Sequence, residues 1–93
     1  MSRVLLVDDD APFLDGLLLT FEQAGYEVRG AVDGAEALQA QACEKFDCVI
    51  ADVNMPRLDG FSMCRRMREA GNQTPLILLT TREGEIDEAL GLE

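Results

Sequence analysis

The chain has 93 residues, 18 acidic and 8 basic, with no histidine and a formal charge of −10. That length makes one small domain able to bury roughly 60–65% of its unfolded surface, and the acidic balance disfavours nucleic acid or an anionic membrane as a direct partner of this segment. Met1-Ser2-Arg3 leads straight into a short apolar run, too short for a signal-peptide core, and no stretch approaches the length of a membrane span, so the chain is expected in the cytoplasm.

Val4-Leu5-Leu6-Val7 reads as a buried strand ending in Asp8-Asp9-Asp10. A helix should start near Asp10 to Pro12, with Asp10 as cap, proline in the first turn, Leu14, Leu17, Leu18 and Phe21 on one face, and Gly25 at its end. Tyr26, Val28 and Val32 alternate with Glu27 and Arg29, the pattern of a half-exposed edge strand. Asp33 with Glu36 three residues on is a capping signal that opens a second helix through Ala42 or beyond. Cys48-Val49-Ile50-Ala51, ending at Asp52, and Leu76-Ile77-Leu78-Leu79 are continuous apolar runs, as expected of central strands covered on both faces. Between them a helix over Phe61 to Ala70 should turn Phe61, Cys64 and Met67 to the sheet and close at Gly71-Asn72. After Thr80, Glu85 to Leu90 is expected to form a fourth helix, the least stable, because only Ile86, Ala89 and Leu90 can be buried. Strands alternating with helices predict an α/β fold with a parallel sheet in the order 2-1-3-4.

If the first and third strands are parallel neighbours, their carboxyl ends bring Asp8, Asp9 and Asp52 together, where open α/β sheets place their ligands. Clustered carboxylates raise one another's pKa, and a divalent cation removes that penalty. Magnesium suits such a site because it prefers octahedral oxygen coordination and is commonly held by one or two carboxylates. Cys43, Cys48 and Cys64 are odd in number and have no histidine or paired spacing to complete a zinc site, so they read as reduced structural thiols, Cys48 the most buried.

The double acid after the first strand, the aspartate after the third and Met55-Pro56 followed by Asp59-Gly60 resemble the receiver domain of bacterial two-component response regulators. Leu78-Leu79-Thr80-Thr81 after Pro75 and Gly25-Tyr26-Glu27-Val28 extend the likeness from Val4 to Glu93. The resemblance implies a flavodoxin-like doubly wound sheet and a phosphorylation switch. In it Asp52 accepts a phosphoryl group from a sensor histidine kinase or phosphotransfer protein. It assigns Mg2+ to Asp9, Asp52 and the backbone carbonyl of Asn54, with Asp8 contributing through water. Thr80 would contact the phosphoryl group and move the fourth-helix surface. Thr81 stands where the family usually has alanine and would border access, and Met55, Pro56 and Gly60 would form the turn that aims Asn54. The family continues through a fifth strand with a Lys-Pro pair and a fifth helix, neither of which follows Glu93. Residues 1–93 are therefore expected to be one incomplete receiver domain of a longer transcriptional regulator, weakened in phosphoryl transfer and prone to dimerise through the open edge of the fourth strand.

Two other readings compete with the switch. A phosphohydrolase of the haloacid dehalogenase type wants a second aspartate two residues after its nucleophile, and Asn54 occupies that position. The other is an acidic interaction module that works without phosphate. In the leading reading the output is binding rather than turnover, so the chain is not expected to be an enzyme.

Overall fold

Five residues free of glycine and proline make β1 (Arg3–Val7), and the last four are buried. Their side chains alternate between two cores, as the strand's period of two requires. Val4 and Leu6 pack with Leu14 on one side of the sheet, bordered by Leu17, Leu18, Phe21 and Ile50. Leu5 and Val7 enter the larger core on the other side. The computed structural model describes residues 2–55 and 58–79 and the backbone of 86–87.

Each helix begins on an aspartate. Asp10 accepts a hydrogen bond from the backbone N–H of Phe13 at 3.2 Å and opens α1 (Ala11–Gln23), with proline in its first turn. Gly25, at φ +99°, turns the chain out of this helix into β2 (Glu27–Ala31). Asp33 accepts from the N–H of Glu36 at 2.8 Å to open α2 (Gly34–Cys43), and the Glu36 carboxylate accepts from the N–H of Val32 at 3.1 Å. That contact lies one residue before the usual partner of a capping box. After β3 (Cys48–Asp52), Asp59 accepts from the N–H of Ser62 at 2.7 Å and starts α3 (Gly60–Glu69). Gly71, at φ +82°, follows, and the Arg68 guanidinium donates to the carbonyls of Asn72 and Thr74 on the way to β4 (Leu76–Leu79).

The sheet runs β2-β1-β3-β4 with all four strands parallel, the expected order. Residues of α2 and α3, namely Ala37, Ala40, Met63, Cys64 and Met67, fill one face with Val49, Ala51, Leu76 and Leu78. On the other face α1 lies over β1 and β2.

Four expectations need correction. Among the described residues the central strands are fully buried on one face only: Ile50, Ile77 and Leu79 are half-buried, because α1 lies mainly over β1 and β2. In α3, Met63 takes the core position and Phe61 is 39% exposed, since the helix presents positions 60, 63, 64 and 67 to the sheet. Cys64 is the buried thiol and Cys48 lies half-buried on the open face; none of the three is in a disulfide. Of the expected fourth helix, Ile86–Asp87 is extended instead and pairs antiparallel with Leu79 and Leu78 as β5; the rest of that segment lies outside the described residues. The outer edge of β4 offers unpaired backbone groups, whereas the segment has few apolar residues with which to hold a helix.

Two helical glycines, Gly34 at the start of α2 and Gly16 inside α1, differ in what surrounds them. A Cβ on Gly34 would sit 2.7 Å from the Leu58 carbonyl oxygen, whereas one on exposed Gly16 meets nothing within 4 Å. Gly34→Ala should destabilise the fold by about 1–3 kcal/mol through overpacking. Gly16→Ala should stabilise it by about 0.5–1 kcal/mol through helix propensity. Urea denaturation midpoints of the two variants, moving in opposite directions, check both.

Candidate functional site

The parallel register sets Val7 opposite Ala51. The next residues, Asp8 and Asp52, therefore lie side by side at the sheet's carboxyl edge. One carboxylate oxygen from each of Asp8, Asp9 and Asp52 lies within 4.8 Å of the others. Asp8 is 6% and Asp52 5% exposed, while Asp9 faces solvent.

Both buried carboxylates are anchored by local turns. Asp8 accepts from the N–H of Asp10 at 2.9 Å and Asp52 from the N–H of Asn54 at 3.1 Å, each two residues downstream. Burial pushes the Asp8 carboxyl above the usual carboxylate range; the Asp10 N–H pulls it back in part, and the charges of Asp52, Asp9 and Asp10 push it up further. Asp52 is likewise raised, first by burial, against the lowering Asn54 N–H and with Asp9 adding repulsion. Desolvation and like charge act together here, so the cluster is under electrostatic stress as a set of anions.

A cavity of about 440 Å³ opens over the cluster, lined by Asp8, Asp9, Asp10, Phe13, Asp52 and Asn54. A larger hollow, about 670 Å³, lies between α2 and α3 beside Phe46 and Thr74 and contains none of these acids.

The structure thus brings Asp8, Asp9, Asp52 and Asn54 together as the sequence suggested. Met55 is buried in the core, and its N–H and that of Gly60 both donate to the Val53 carbonyl at 3.1 Å, closing the loop after β3. Gly60 lets α3 start against the strand end: an added Cβ would lie 2.8 Å from a Leu78 methyl and 3.0 Å from the Asp52 carbonyl oxygen. Asp59 is the α3 cap, and its carboxyl is held below the usual range chiefly by the Ser62 N–H. Pro56, Thr80 and Thr81 lie outside the described residues. Sequence reasoning missed Phe13, which joins the cavity wall. The available signal was its place in the first turn of α1, three residues after the cap and off the Leu14, Leu17, Leu18 and Phe21 face.

Three hard oxygen donors, two of them desolvated, fit a hard divalent cation such as magnesium. Fold and cluster together define an α/β domain that gathers three carboxylates at the carboxyl edge of its sheet.

The chain belongs to the response regulator receiver domain family, which it matches over residues 4–92. Receiver domains are signalling domains of two-component systems; they bind Mg2+ at an acidic pocket and interact with histidine kinases or phosphotransfer proteins. The chain is 38% identical over 92 residues to the alkaline phosphatase synthesis transcriptional regulatory protein PhoP of Bacillus subtilis (strain 168), covering 99% of this chain and 38% of that one. It is 41% identical over 91 residues to the response regulator MprA of Mycolicibacterium vanbaalenii, covering 98% and 39%. The chain therefore spans about two fifths of the length of these curated relatives. Among solved structures, the chemotaxis response regulator CheY4 of Vibrio cholerae superposes with a TM-score of 0.83 at 40% identity, over 89% of this chain and 71% of that one. The response regulator TrrA of Thermotoga maritima, solved in complex with Mg2+-BeF, gives 0.82 at 32% identity, over 89% and 72%. No described helix is long and apolar enough to cross a membrane.

Removing one buried charge from the cluster should relieve it. Asp8→Asn keeps an oxygen for the Asp10 N–H, so in EDTA the variant should be more stable than the parent by about 1 kcal/mol. Added magnesium should shrink or reverse the gap, read as thermal midpoints with and without the ion.

Proposed function

We propose that the chain is a phosphorylation-dependent signalling switch whose phosphoryl acceptor is Asp52. The observation that carries this is the setting of Asp52: nearly buried, fixed by the Asn54 N–H, and clustered with two further carboxylates under an open cavity. The carboxylates of Asp9 and Asp52 and the backbone carbonyl of Asn54 would hold Mg2+, with Asp8 acting through water. When bound, the ion supplies positive charge that offsets the acids and the charge developing on a transferring phosphoryl group.

The Asp52 carboxylate oxygen attacks the phosphorus of a phosphohistidine on a sensor kinase or phosphotransfer protein. The donor N–P bond breaks, and its electron pair leaves with the imidazole. Asn54, which is not an acid, leaves the site without the second aspartate that a phosphohydrolase of this type needs to protonate a leaving group, so the modified aspartate persists as a signal. Met55, Pro56 and Gly60 are assigned by the family resemblance to the turn that would aim Asn54. Thr80 contacts the phosphoryl group and passes the change to the segment that follows, and Thr81 borders access to it.

We read residues 1–93 as a single cytoplasmic receiver domain. Likeness to PhoP supports a parent protein that regulates transcription. Among the described residues, β5 pairs with the Leu78 and Leu79 part of the β4 edge. A second copy pairs along the remainder, at Leu76 and Ile77, beside the half-buried face. Sedimentation should show association at micromolar concentration; a monomer throughout would remove this part of the reading.

Treatment with acetyl phosphate and magnesium should add a single phosphate by intact mass. It should be absent from Asp52→Asn and from samples in EDTA. A chain that binds magnesium but takes up no phosphate would instead be the acidic interaction module.

A further inference from the structure

Among the described residues lining the acid cavity, Phe13 is the one apolar side chain, beside four aspartates and an asparagine. Its position is not explained by packing. The side of α1 that meets the sheet carries Leu14, Leu17, Leu18 and Phe21, whereas Phe13 is 50% exposed. Its backbone N–H is held by the Asp10 cap at 3.2 Å, and Pro12 restricts the turn that carries it. A phenyl ring thus sits at the wall of a pocket whose other described lining residues carry polar side chains.

We propose that Phe13 is a water-limiting wall of the acceptor site: its ring restricts the approach of water to a phosphoryl group on Asp52 and so sets how long that group persists. The inference rests on the reading of Asp52 as acceptor. Loss of the phosphoryl group requires a water oxygen to bond to phosphorus as the P–O bond to Asp52 breaks. The bonding pair returns to the carboxylate, a water proton passes to the departing phosphate, and free Asp52 and inorganic phosphate result. A ring offers an incoming water no hydrogen bond and occupies part of its space, so it slows this step without touching the acids that hold the cation. Phe13 is a positioning residue for solvent, not a catalytic residue.

The test compares the parent with Phe13→Ala and Phe13→Leu. Each is loaded with acetyl phosphate and magnesium, freed of donor, and followed by intact mass as the adduct decays; magnesium affinity is measured separately by calorimetry. Phe13→Ala should lose its phosphoryl group ~3- to 10-fold faster than the parent, with Phe13→Leu restoring the lifetime to within ~2-fold, as a space-filling role requires. Magnesium affinity should be the same in all three. Equal decay in Phe13→Ala and parent overturns the inference while leaving Asp52 as acceptor. Faster decay accompanied by weakened magnesium binding also overturns it, because the ring would then act through the acids. Absence of any adduct on the parent removes the acceptor reading itself, and this inference with it.

Discussion

The site depends on the register of β1 against β3. With Val7 opposite Ala51, the last apolar side chains of two parallel strands end at the same level, and the residue after each is an aspartate that cannot turn back into the core. A slip of one residue would exchange the faces of a strand and move its carboxylate away from its neighbour. The hydrophobic alternation that assigns Leu5 and Val7 to one core and Val4 and Leu6 to the other therefore also sets the spacing of the acids. The same strand ends launch helices: Asp10 opens α1 directly after β1, and Gly60 allows α3 to start against the end of β3.

Net charge gives a poor picture of how the acidic residues behave. Asp10, Asp33 and Asp59 each sit at a helix N-terminus, where the unpaired N–H groups and the helix dipole favour a negative charge. At the opposite end of the sheet Arg3 bridges Glu27 and Glu44, and Arg29 also meets Glu44. These pairs are largely exposed and contribute little to stability. Repulsion and desolvation coincide at Asp8, Asp9 and Asp52, so a cation bound there would act where the acidic excess is most unfavourable.

Strand and helix positions were legible because their signals are local. The aspartate caps, the glycines at positive φ and the continuous apolar runs each act within a few residues of where they stand. The acid cluster was legible because it needs only strand order added to strand ends. Features decided by coverage from distant elements were not. Whether Cys48 or Cys64 is buried, and whether Phe61 or Met63 faces the sheet, depends on where α1 and α3 lie over it. Ile86–Asp87 reads as helix by composition but is extended because β4 offers an edge to pair with. Phe13 escaped notice because an apolar residue in a first helical turn looks like core until its surroundings prove polar.

The unequal covering of the two sheet faces bears on how the molecule breathes. α1 fully buries only Leu14, with its other sheet-facing residues half-covered, whereas α2 and α3 share the larger core. Anchorage of that kind lets one helix lift as a cooperative unit while the remainder stays folded, an excursion that amide exchange registers well below the energy of global unfolding. Asp8 and Asp9 ride on the end of β1 and Asp52 on β3, but Phe13 rides on α1. The charges of the pocket and the ring at its wall thus belong to elements anchored by unequal amounts of buried apolar surface.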